Sequence, residues 1–149
     1  TGIILQNRGH LFSLDANHPN VIGPHKRCAH TLMPGMIFTD GKPYLALGLK
    51  GGHVQPQVQV QLISNLIDHG MAPQAAIGSA RFNHIDGLKV GLEPEVPQAV
   101  KDELTARGHQ VVGGNPESFG GAHMILIHPE SGAFVGGSDP RKGGCALGF

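Results

Sequence analysis

The chain has 149 residues, the size of one domain. Its 11 Lys and Arg balance 11 Asp and Glu, which argues against a nucleic-acid or membrane-surface protein, since either carries a basic excess. Glycine (23) and proline (11) are abundant, but 40% hydrophobic content and the absence of any repeat period exclude a low-complexity chain. With no Trp, one Tyr and six Phe, aliphatic side chains must build the core. No apolar run is long enough for a transmembrane helix, and no signal-peptide pattern is read. Two cysteines, Cys28 and Cys145, do not make a disulfide scaffold, and the lack of CxxC excludes a zinc ribbon.

Taken in chain order, residues 2–6 (GIILQ) read as a short strand. Residues 7–35 read as a long irregular segment punctuated by Asn17, Pro19, Asn20, Gly23, Pro24 and Pro34, and loops of that length are usually functional or disordered. Residues 36–39 and 44–49 are apolar runs on either side of Asp40-Gly41-Lys42-Pro43, a hairpin signal. After Gly51-Gly52, Pro56 suits a first helical turn, and Val58, Leu62 and Leu66 step by four toward a stop at Gly70. The alternation in 55–61 (QPQVQVQ) also fits a strand, but the 3.6-residue period that follows favours helix. A second short helix is expected at 72–80, a strand at 88–91, and a helix at 94–107 with an apolar stripe of Val96, Ala99, Val100 and Leu104 ended by Gly108. Strands are expected at 110–112, 122–128 and 133–136, the last two joined by Pro129-Glu130-Ser131-Gly132. The pattern is a single α/β (α+β) domain over 1–149, mainly antiparallel, with helices on one face of the sheet.

Three features could carry chemistry. Gly51 and Gly52 lie between a strand and a helix, where free N–H groups can hold an oxyanion; a plain tight turn is the alternative. Ten histidines are many, but no HExxH or other short-range pair suggests a metal site. His10 and His30, in the long irregular segment, are the two to watch. Thr1 stands at the start of the sequence. An N-terminal threonine can serve as a nucleophile with its own α-amino group as base, or it can simply be where this piece begins.

Seven segments in colinear order resemble the small subunit of the γ-glutamyltransferase (γ-glutamyltranspeptidase) family. Thr1-Gly2-Ile3-Ile4-Leu5-Gln6-Asn7 is similar to its SG-I-LLNN segment, and Pro24-His25-Lys26-Arg27 with Thr31 and Pro34 to PxKRPLSSMSPT. Asp40-Gly41-Lys42-Pro43 and Gly51-Gly52 resemble DGKP and SPGG; 67–71 resembles IDYGL. Ala80-Arg81-Phe82-Asn83-His84 resembles APRFHH, and 136–141 (GGSDPR) resembles GASDPR.

The resemblance implies an N-terminal-nucleophile hydrolase αββα sandwich, an autocatalytically cleaved precursor, and a threonine that forms an acyl-enzyme with a γ-glutamyl group. It places that threonine roughly thirty residues before Thr1, so the chain is expected to be the C-terminal part of a small subunit that needs the large subunit and is inactive alone. It implies no cofactor and no metal. Gly51 and Gly52 match the oxyanion-hole glycines. Thr31 matches the second of two serines that hold the glutamyl α-carboxylate, and His30 replaces the first. Leu11 falls where the family has the aspartate that grips the α-amino group, Arg8 where glutamine is common, and His10 replaces a second acidic residue.

A buried ammonium needs a carboxylate partner, which Leu11 cannot supply. The expected substrate is therefore a carboxylated side-chain amide without a nearby ammonium, as in cephalosporin-acylase-like members, cleaved by an amidohydrolase or acyltransferase. Two other readings stand beside it: a non-catalytic relative that binds a carboxylated small molecule, and a true Thr1 nucleophile released by an unusual cleavage. The sequence gives no compartment.

Overall fold

The computed structural model describes residues 2–148, so Thr1 and any role for it lie outside the described residues. The chain divides into two compact units, Thr1–Leu32 and Met33–Phe149.

The first unit is built from turns. A 3₁₀ turn, Arg8–Leu11, opens it. Asn20 Nδ2 donates to Leu11 O (2.8 Å), and the Ser13 and Ile22 N–H groups donate to Asn20 O and Ser13 O (2.9 and 3.0 Å). Lys26 Nζ closes onto Pro19 O (2.6 Å). Residues 2–6 form no strand, contrary to the expectation from their apolar run; Ile3, Ile4 and Leu5 are exposed. A strand needs a neighbour to take its backbone bonds, and none of the described residues pairs with this segment.

The second unit holds two sheets. The larger is antiparallel, with order β1-β2-β6-β7: β1 Gly35–Thr39, β2 Lys42–Lys50, β6 Gly121–Ile127 and β7 Phe134–Ser138. The β1–β2 turn is tighter than expected. Asp40 (φ 51°) and Gly41 (φ 75°) alone make it, the two left-handed positions that match strand twist, so Lys42 and Pro43 join β2.

Helices α1 (Gln55–Ile67) and α2 (Pro73–Gly78) cover one face of this sheet. Val58, Leu62, Leu66 and Ile77 pack there with Leu45, Leu47, Ala122 and Met124, all buried. Pro56 starts α1 as expected, and Gly70 takes a left-handed φ of 63° just beyond its end.

The smaller sheet has order β3-β4-β5, from β3 Phe82–Asp86, β4 Lys89–Leu92 and β5 Gln110–Gly113. Strand β3 was not legible in the sequence, and β4–β5 is a parallel pair crossed over by α3, Gln98–Ala106. Helix α3 starts four residues later than its periodicity suggests, because Pro97 is its N-cap and an extended turn precedes it. Its stripe is not a core stripe: no α3 residue is buried, and Val100 is exposed.

Glutamines explain the QPQVQVQ pattern. Gln57 Oε1 accepts from His84 N (2.8 Å) while its Nε2 donates to His84 O (3.1 Å). Gln61 does the same to Phe82, at 3.0 Å for both bonds. Four residues of helix and two residues of strand both advance about 6 Å, so one helical face can mimic a strand along β3. Gln74 of α2 treats Ser138 on β7 identically (3.0 Å each). Unpaired strand edges invite aggregation; here side-chain amides occupy them.

Gln61→Ala should cost about 1–3 kcal/mol in chemical denaturation and raise hydrogen exchange at the Phe82 amide while leaving Val90, in the middle of the sheet, protected.

Candidate functional site

Strand β2 ends at Lys50, and Gly51 and Gly52 turn the chain into a 3₁₀ turn, Gly52–Val54, that runs straight into α1. The two glycines are required for different reasons. Gly51 has φ 162° and ψ 10°, and a Cβ there would lie 2.7 Å from Val54 Cγ1 and 3.1 Å from Gly120 Cα. Gly52 has open space around it but a left-handed φ of 58°. Their carbonyls are engaged: Gly51 O accepts from Val54 N (3.3 Å), and Gly52 O from Gln55 N and Gln55 Nε2 (3.2 Å to the latter). Among the described residues, neither the Gly51 nor the Gly52 N–H donates a hydrogen bond. Gly51 is half-buried and Gly52 exposed. Two adjacent backbone donors at the start of a 13-residue helix can stabilise a developing negative charge.

The segment behind the corner is held by buried charges. Asp139, 1% exposed, accepts two bonds on each carboxylate oxygen. Oδ2 takes Arg81 Nη2 (2.7 Å) and Ala122 N (2.8 Å); Oδ1 takes Arg141 N (2.9 Å) and Arg141 Nη1 (3.2 Å). Arg141 also forks onto Glu93 through Nε and Nη2 (2.6 Å each), and the Arg81 N–H donates to Glu93 Oε2 (2.8 Å). Ile77 O accepts from both guanidinium groups, at 2.9 Å each. Two cations and two anions cancel, and all four carboxylate oxygens are bonded, which is the condition for burying charge; among the described residues Arg81 Nε has no partner.

This clamp reaches the glycine corner. Arg81 Nη1 donates to Phe119 O (2.9 Å) and Asp139 takes the Ala122 N–H (2.8 Å), so the bonds straddle Gly120 and Gly121. Gly120 has φ 69°, and a Cβ on it would meet Lys50 O at 2.8 Å. The backbones of 50–51 and 120 are therefore packed directly on each other, and the clamp fixes the wall against which the corner is built.

Burial pushes the Asp139 carboxyl up, but the Ala122 and Arg141 N–H bonds and the Arg81 guanidinium outweigh it and hold it below its ordinary 3.8. Burial lowers Arg81, while the Glu93 bond raises Arg141. Beside the corner, Glu117 is held below its usual range first by Lys142 and then by Lys50.

The other sequence-derived candidates lie in the first unit. Arg8 and His10 share the 3₁₀ turn, Arg8 half-buried and His10 exposed with Nδ1 2.5 Å from Asn7 O. Leu11 is half-buried in the same turn, and His30 is exposed beside half-buried Thr31. Gly51 and Gly52 belong to the second unit. Among the described residues, no three His, Cys, Asp or Glu side chains cluster as metal ligands. Sequence reasoning missed the clamp. Arg81, Asp139 and Arg141 stood in the matched motifs without a role, and Glu93 carried no signal.

Comparison with known proteins decides the family. The γ-glutamyltranspeptidase family model matches residues 1–149. The chain belongs to the γ-glutamyltranspeptidase family. It is 42% identical, over its whole length, to the glutathione hydrolase-like YwrD proenzyme of Bacillus subtilis and 35% identical to the oxamate amidohydrolase proenzyme of Klebsiella pneumoniae. It spans only 30% and 29% of those two proteins. Among solved structures, cephalosporin acylase from Bacillus halodurans superposes with a TM-score of 0.84 at 40% identity, over 94% of this chain and 26% of that one. A mutant γ-glutamyltranspeptidase from Helicobacter pylori gives 0.81 at 31% identity, over 95% of this chain and 82% of that one. The mixed α/β fold expected from the sequence is the fold of this γ-glutamyltranspeptidase-family chain.

Asp139→Asn should cost about 3–5 kcal/mol, the penalty for orphaning a buried guanidinium. Because the folded carboxyl titrates below its ordinary 3.8, its contribution is complete above that value and fades as pH falls through the lower folded one. Denaturation between pH 7 and pH 2 should show an acid limb in the parent protein that is diminished in Asp139→Asn.

Proposed function

We propose that this chain is the C-terminal part of the small subunit of an autoprocessed threonine amidohydrolase of the γ-glutamyltranspeptidase family. The observation that carries the reading is the Gly51-Gly52 corner, whose two N–H groups are free among the described residues. In this reading an upstream threonine hydroxyl attacks the amide carbonyl. The carbonyl oxygen becomes an oxyanion held by the two N–H groups, the amine leaves with a proton, and an acyl-enzyme remains. Water or an acceptor amine then takes the acyl group, restoring the hydroxyl.

The substrate is a carboxylated amide that lacks an α-ammonium. Leu11 offers no counter-charge to an ammonium, whereas Arg8 and His10 in the same turn favour an anion, and Thr31 keeps a hydroxyl for a carboxylate. The balance of the first unit supports this. Residues 1–32 carry Arg8, Lys26 and Arg27 against Asp15 alone, with four of the ten histidines. The names of two relatives, an oxamate amidohydrolase and an acylase proenzyme, support an acyl group other than γ-glutamyl.

The partner is the remainder of the same precursor, including the large subunit. Relatives carried as proenzymes far longer than this chain support it. So does the sheet face opposite α1, where Met36, Ala46, Ile125 and Gly136 stand in register across four strands and Met36 and Ile125 are 56% and 48% exposed.

The test uses the complete two-subunit enzyme. Glutaryl-p-nitroanilide and γ-glutamyl-p-nitroanilide differ only by the α-amino group. The first should have a kcat/KM at least about tenfold higher, the scale of one charge-assisted hydrogen bond, and Leu11→Asp with His30→Ser should shift the ratio toward the second. Equal or reversed preference in the parent enzyme overturns the substrate assignment. Absence of any hydroxyl or thiol nucleophile in the encoded segment upstream, with no turnover of either amide, overturns the catalytic reading in favour of a non-catalytic carboxylate binder.

A further inference from the structure

The rim of the glycine corner carries a charge cluster that neither the fold nor the proposed chemistry uses. Lys50, the residue joined to Gly51, places Nζ 3.6 Å from Glu117 Oε2, and Lys142 Nζ lies 2.5 Å from the same oxygen. One carboxylate thus serves two ammonium groups, leaving one net positive charge.

The two lysines are held differently. Lys142 is 16% exposed, with its stem laid on Gly121, where a Cβ would fall 2.3 Å from Lys142 Cγ. Its ammonium is committed to Glu117. Lys50 is 73% exposed, and its longer contact to the shared oxygen leaves it the cation with charge to spare. Glu117 is anchored by the 3₁₀ turn Pro116–Phe119, which leads into the Gly120 wall of the corner. Its own N–H donates to Asn115 Oδ1 (3.0 Å).

We infer that Lys50 is a specificity-determining residue that binds a substrate carboxylate flanking the scissile amide, and that Glu117 tempers this site by competing for the ammonium. The inference rests on the oxyanion role proposed for Gly51 and Gly52. The shared chemistry is a carboxylate, and it can come from the acyl side or from the leaving amine. A merely structural ion pair predicts the same direction of effect from removing either partner. A binding cation restrained by a competing anion predicts opposite directions.

Three amides separate the possibilities in the complete two-subunit enzyme: glutaryl-p-nitroanilide with the charge on the acyl side, butyryl-p-aminobenzoate with it on the amine side, and uncharged butyryl-p-nitroanilide. Lys50→Gln should raise KM for one carboxylated amide about fivefold relative to the uncharged one, the size of one exposed charge contact. Glu117→Gln should lower the same KM ratio. Both effects should shrink between low salt and 0.5 M salt, since exposed charges are screened. KM ratios unchanged within twofold for both carboxylated amides, or moving the same way in both variants, overturn the inference.

Calorimetric binding of glutarate and of p-aminobenzoate to the parent and the two variants needs no turnover. An enzyme that cleaves none of the amides, yet binds one of these anions more weakly in Lys50→Gln and more tightly in Glu117→Gln, keeps the carboxylate site while the catalytic reading fails. Unchanged binding of both anions in both variants overturns the site itself.

Discussion

Asp139 is buried, charged and bonded through both oxygens, and much of the second unit is arranged around it. Its partners come from far along the chain: Arg81 from the start of the smaller sheet, 58 residues away, and Ala122 from the larger one. Arg141 ties the same carboxylate to Glu93 at the end of β4. A buried ion cluster contributes less to net stability than a well-packed apolar core of the same volume, but breaking it by removing one member is costly. What it supplies here is position. Four charges that must all find one another fix how the two sheets and the 119–122 segment meet.

That placement is what gives the glycine corner its shape. Gly51 has no room for a side chain because Gly120 stands against it, and Gly120 lies between two residues bonded to the clamp. A pair of donors can stabilise an oxyanion only when held before the charge appears. The helix that follows the corner is fixed in turn by Leu62 and Val58 in the core and by Gln57 and Gln61 along β3. Core packing, edge sealing and the buried charges therefore converge on the same few backbone atoms.

Local chemistry was legible in the sequence. Asp40-Gly41 announced its turn because both residues tolerate left-handed backbone, and Pro56 announced the start of α1. The glycine pair was visible for the same reason. What depends on distant partners was not. Residues 2–6 look like a strand, yet they pair with none of the described residues. Strand β3 was missed because FNHID has no clean alternation and its edge is satisfied by helix glutamines, whose own pattern imitated a strand. The stripe on α3 has the right period but lies largely exposed. The charges of Arg81 and Asp139 could be read as motif letters, but only folding brings them to 2.7 Å.

In the proposed reaction, Gly51 and Gly52 present their N–H groups to an oxyanion from a corner fixed by the clamp. A crystal structure of the complete enzyme bearing a tetrahedral or acyl adduct on its nucleophile measures this directly. The adduct oxygen is expected about 3 Å from both nitrogens, with the Asp139 bonds to Arg81 and Ala122 intact. An adduct oxygen turned to other donors, with the two glycine N–H groups bonded elsewhere, would contradict it.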